Sequence, residues 1–169
     1  AVFPAVAHAQ SEAPPPPMTD APVVPPTTVD PKAEALARFE KGVALFDAGN
    51  FDVALTESLE ARRIFPLRSA TANAVVCLDQ LGRYDEALEM VETLLREFGS
   101  TMTEEARARG QRKLVELRLR VGTIEISGAE IGARMLVDGQ DRGAYPPLAP
   151  LRVKAGTHLL RVVMPGYEP

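Results

Sequence analysis

Two stretches of this chain, Gly49-Asn50-Phe51-Asp52-Val53-Ala54 and Gly82-Arg83-Tyr84-Asp85-Glu86-Ala87, are variations on one pattern. Glycine to glycine, aromatic to aromatic and alanine to alanine, they stand 33 positions apart. Three coincident offsets mark a stacked structural repeat. In each copy the glycine predicts the left-handed end of one helix, the aromatic plugs the turn, and the alanine lets a second helix approach closely. Upstream of the first turn, Leu36, Phe39, Val43 and Phe46 form an apolar stripe of helical period. A third helix is predicted to open on a capping box, Thr101-Met102-Thr103-Glu104, and to run to about Arg120 as the solvating end of the array.

Beyond Arg120 the period changes. Ile124 and Ile126 alternate with Thr123, Glu125 and Ser127, which is the pattern of a strand. Arg134 to Val137 repeats the alternation and ends in Asp138-Gly139, a strong hairpin signal. Leu151 to Lys154 and His158 to Met164 read as two further strands, with His158 on one face with Leu160 and Val162. Gly139 and Gly143 read as turn glycines. The expected fold class is therefore α+β in two modules, helical hairpin repeats over 33–120 followed by a small antiparallel β domain over 121–169.

The helical part resembles the tetratricopeptide repeat. With Ala35 as the first position, Gly42, Leu45, Ala54, Ala61 and Pro66 fall on that family's signature places. Arg38 and Lys41 stand where the family prefers Trp and Leu, and Val75 and Gly99 depart from it in the second repeat. The resemblance implies a peptide-binding concave face on the first helix of each repeat. The carboxylate clamp known on that face is not expected, because its places hold Phe39, Val43, Asn73, Met102 and Ala106, which offer no cation. The candidate groove is instead Leu36, Phe39, Val43, Phe46, Asn73 and Arg109, suited to an apolar or amphipathic segment.

The C-terminal run, from Gly122-Thr-Ile-Glu-Ile-Ser127 through Gly132-Ala133, Asp138-Gly139, Pro147-Leu148 and Ala155-Gly156-Thr-His158 to Gly166-Tyr167, looks like a PEGA domain. That resemblance implies a small β-sandwich-like fold in exported or membrane-tethered bacterial proteins that contact the cell envelope. It also implies a further strand after Gly166-Tyr167.

At the other end, residues 1–9 read as the remnant of a signal peptide, with Ala7 and Ala9 flanking a cleavage site before Gln10. Residues 10–32 carry Pro14 to Pro17, Pro22, Pro25 and Pro26 and read as an extended, disordered spacer. No stretch approaches the roughly 18 to 20 apolar residues that span a bilayer. The expected location is the periplasm or cell envelope.

Composition narrows the function. A net charge of -4 and a pI of about 5.3 exclude nucleic acid as the expected partner, since phosphate binding needs a basic surface. The third-helix cations Arg107, Arg109, Arg112, Lys113, Arg118 and Arg120 read as a solvated face. Cys77 sits in an apolar helical run and reads as a buried small hydrophobe. His8 would leave with the leader and His158 belongs to a strand, so no His-based triad or metal site can be assembled. The pairs Asp47/Asp52 and Glu57/Glu60 read as exposed surface carboxylates. The expectation is a non-catalytic scaffold or adaptor with no cofactor and no metal. Its repeats would bind a protein or peptide and its β domain would contact the envelope. The alternative is a module that binds carbohydrate or a surface layer, with the repeats as spacer.

Overall fold

Asp30 opens the first helix: its carboxylate accepts from the Lys32 amide at 3.0 Å, and Pro31 occupies the first helical position, where its missing N–H costs nothing. The computed structural model describes residues 30–167, so the leader at 1–9 and the spacer up to residue 29 lie outside the described residues. Helix α1 (Pro31–Asp47) thus begins two residues inside the stretch read as spacer.

Four more helices follow: α2 (Phe51–Ile64), α3 (Arg68–Gln80), α4 (Tyr84–Phe98) and α5 (Glu104–Arg118). The first four form two hairpins with the same turn. Gly49 and Gly82 take φ of 78° and 68°. The amide of the next residue reaches back five positions, Asn50 to the Leu45 carbonyl and Arg83 to the Leu78 carbonyl, each at 2.9 Å. Asn50 and Arg83 then share one conformation, φ −87° and ψ 64°.

Close approach follows from small residues. Ala54 and Ala87 are fully buried, and a Cβ on Gly42 would meet Ser58 Oγ at 3.2 Å and the Ala54 carbonyl at 3.3 Å. The main core gathers Ala54, Leu55, Ala74, Val75, Cys77, Leu78, Leu88, Val91 and Leu117, drawn from four helices. Burial pushes the Cys77 thiol pKa up, which makes it inert. Arg62 stitches the two hairpins, donating to Thr71 Oγ1 at 2.9 Å and to both carboxylate oxygens of Glu97 at 2.8 Å.

Helix α5 differs from expectation at its start. Thr103, not Thr101, is the cap, accepting from the Ala106 amide at 3.3 Å, while Thr101 closes a short 3₁₀ turn over Gly99–Thr101. The helix ends at Arg118, two residues early. Gly110 sets its depth on α4, since a Cβ there would lie 2.9 Å from Leu95 Cδ2.

The second module has five strands: β1 (Val121–Ile124), β2 (Arg134–Val137), β3 (Gln140–Ala144), β4 (Leu151–Lys154) and β5 (Leu160–Val163). They form two antiparallel sheets, β1-β4 and β3-β2-β5. Asp138 and Gly139, at φ 52° and 82°, make the expected hairpin turn between β2 and β3. Strand β3 is a correction, because Gln140-Asp-Arg-Gly-Ala144 carries no apolar alternation. Gly143 lies within it at φ 94°, on the side of the ladder that carries one extra residue between Asp141 and Ala144. Ala133, Met135, Val137, Leu151 and Val153 supply the buried side chains of this module. The fold is α+β in two modules.

Candidate functional site

The α1 stripe divides according to its neighbours. Phe39 is half-buried and packs on Ala35, Ala61, Leu67 and Ala70, the small core under the α2–α3 junction. Phe46 packs on the main core, its ring 5.1 Å from that of Phe51. Leu36 is exposed and Val43 half-buried. Asn73 Nδ2 donates to Ser58 Oγ at 2.9 Å, and Ser58 Oγ in turn donates to the Ala54 carbonyl at 2.8 Å, so part of its polar capacity serves helix packing. Arg109 is exposed on α5, a helix that packs on α4 and β1. The structure therefore keeps Leu36 and Val43 toward the surface, and commits Phe39 and Phe46 in part to the core.

Beside this stripe lies a charge cluster that corrects the reading of Glu57. Its carboxylate is buried, bound by Lys41 Nζ at 2.6 Å and by Arg38 Nη1 at 3.2 Å. The Lys41 hydrogen bond, helped by Arg38, holds its pKa below the ordinary carboxylate value. Arg38 and Lys41 occupy the places where Trp and Leu were wanted, and an ionic clasp between α1 and α2 replaces apolar packing there.

The two modules meet along α4. Arg142 Nη2 donates to Asp85 Oδ2 at 2.9 Å and to the Arg152 carbonyl at 2.6 Å. Glu92 accepts from Arg152 at 2.6 Å and from Arg118 at 3.4 Å. The Ala155 amide donates to the Arg120 carbonyl at 2.6 Å, Val121 packs on the main helical core, and the Arg120 guanidinium lies 5.0 Å from the centre of the Tyr84 ring. Only Leu119 and Arg120 separate the end of α5 from the start of β1.

Above this seam opens a cleft of about 760 Å³. One wall is the acidic face of α4, including Glu86, Glu89 and Thr93; the other is the loop Tyr145-Pro146-Pro147-Leu148-Ala149-Pro150, with Leu148 wholly exposed. Sequence reasoning passed over this place. The acidic positions 85, 89 and 92 at helical spacing were legible, but nothing local says that a β loop faces them.

His158 also stands elsewhere than expected. It precedes β5 rather than sharing its face, and its ring nitrogens lie 2.6 Å from Asp138 Oδ2 and 2.6 Å from the Lys154 carbonyl. Among the described residues no helix is long and apolar enough to cross a membrane.

No curated protein and no solved structure matches the chain. The family model of the PEGA domain matches residues 121–169, the span that holds the five strands of the described residues.

Proposed function

We propose that this protein is an exported, non-catalytic adaptor in which tetratricopeptide-like hairpins hold a protein or peptide partner while the PEGA module contacts the cell envelope. The observation that carries the proposal is the seam: Asp85–Arg142, Glu92–Arg152 and the Ala155–Arg120 backbone bond hold the β module on α4 and α5. A fixed junction suits a part that presents one surface at a set angle to another. The helical surface supports an apolar or amphipathic segment rather than an acidic tail, since Leu36 and Val43 stand two turns apart on one face of α1 and Met102, at a clamp position, is buried.

The test is a pull-down from an envelope fraction with the full chain, repeated after enzymatic removal of polysaccharide. Retention of a protein partner that Leu36→Ser with Val43→Ser releases supports the adaptor. Loss of all binding on removing polysaccharide, with no effect of the two α1 changes, overturns it in favour of a carbohydrate-binding module.

A further inference from the structure

His158 sits between segments that belong to both sheets of the β module. Its Nδ1 lies 2.6 Å from Oδ2 of Asp138 in the β2–β3 turn, and its Nε2 lies 2.6 Å from the carbonyl of Lys154, the last residue of β4. The imidazole is 8% exposed. Asp138 is held in turn, its Oδ1 accepting from the Leu159 amide at 2.9 Å and its own amide donating to the Leu159 carbonyl at 2.9 Å. The ring thus links the β1-β4 sheet to the β3-β2-β5 sheet at the point where the chain enters β5.

A carboxylate and a backbone carbonyl can only accept. Both ring nitrogens must therefore donate, and only the imidazolium has two N–H groups. We infer that His158 is a proton-operated latch between the two sheets, closed when both ring nitrogens carry a proton and opened on the Lys154 side when one is lost. The neutral ring keeps its Nδ1 proton on the charged Asp138 partner, because a charge-assisted bond is the stronger of the two. Its Nε2 lone pair then faces the lone pairs of the Lys154 carbonyl, and the turn over 155–159 is released.

The charges around the ring agree with this. The Asp138 bond, then the Lys154 carbonyl, raises the histidine pKa, while burial and the Lys154 ammonium oppose them; the same contact and the Leu159 amide lower the pKa of Asp138. A raised histidine pKa means that the latch contributes fully below the ordinary value of about 6.5 and is lost as pH rises through the folded value. On the acid side it fails only as pH falls through the lowered pKa of Asp138.

The experiment follows the ring nitrogens of His158 by NMR in the full chain, together with amide exchange over 155–159 corrected for the intrinsic effect of pH. The ring is expected to titrate above about 6.5 and to pass from imidazolium to the Nδ1–H tautomer. In the same step, protection over 155–159 should fall about fivefold, as for loss of one hydrogen bond. Lys154→Met should move the step to higher pH, and Asp138→Asn to lower pH. A ring that titrates at or below about 6.5, or a titration that leaves protection of the turn unchanged, overturns the latch. Should Asp138→Asn fail to fold, the native chain and Lys154→Met carry both outcomes.

Discussion

Glu92 of α4 and Arg152 of β4, 60 positions apart in sequence, meet at 2.6 Å and join the helical module to the β module. The Arg152 hydrogen bond, with Arg118 behind it, holds the Glu92 pKa below its ordinary value. A carboxylate with a lowered folded pKa contributes above the unfolded value of about 4.3, and that contribution disappears as pH falls through the folded value. Spin labels on α2 and β3 should therefore report a narrow distance distribution at neutral pH that broadens in acid. Arg152→Met should broaden it at neutral pH while costing about 1 kcal/mol or less, since both partners are partly exposed. A distribution that is broad at neutral pH in the native chain would contradict a docked pair of modules.

Gly49 and Gly82 have open space where a Cβ would stand, so alanine there meets strain from positive φ alone. Gly49→Ala and Gly82→Ala should each cost about 1 kcal/mol, and by nearly equal amounts, when compared by denaturant unfolding. Gly110→Ala behaves differently, because its Cβ would press on Leu95 and gain helix propensity at once. A clearly unequal cost at the two turn glycines would show that the hairpins are not equivalent.

Phe39 and Leu36 lie one helical turn apart on α1 but differ in what they touch. Phe39→Ala removes packing from the cluster of Ala35, Ala61, Leu67 and Ala70 and should destabilise by about 2 kcal/mol, short of the full cost of a buried phenylalanine because the ring is only half covered. Leu36→Ala, at an exposed position, should cost no more than about 0.5 kcal/mol. Thermal unfolding of the two variants separates them. The contrast also selects Leu36, not Phe39, as the place to probe partner binding without disturbing the fold.

The hairpin repeat was legible because its determinants are local: a glycine that must take positive φ, an aromatic two residues later and an alanine three beyond that. The Asp138-Gly139 turn and the burial of Cys77 were legible for the same reason. What was missed depends on partners distant in sequence. Glu57 is buried only because Arg38 and Lys41 reach across from α1, and β3 exists only because β2 offers it a ladder. Nothing in Gln140 to Ala144 favours a strand on its own. The seam is the extreme case, since Arg142 and Arg152 look like ordinary surface cations until α4 is folded beside them. Parity alone places His158 on a strand face, and a count of alternate residues cannot foresee that the chain turns between Lys154 and Leu160.

The shared geometry of the Gly49 and Gly82 turns gives the molecule a ruler. The residue after each glycine, Asn50 or Arg83, takes the same two dihedral angles, so a chain cut at one turn can be joined at the other without a change of local geometry. The β module is seated on α4 and α5, downstream of that ruler. Duplicating or excising one unit of 33 residues at these glycines would leave the seam intact and carry the whole β module one step along the stack. Reach, in this architecture, is a countable quantity that evolution or an engineer can lengthen in whole hairpins without redesigning either end.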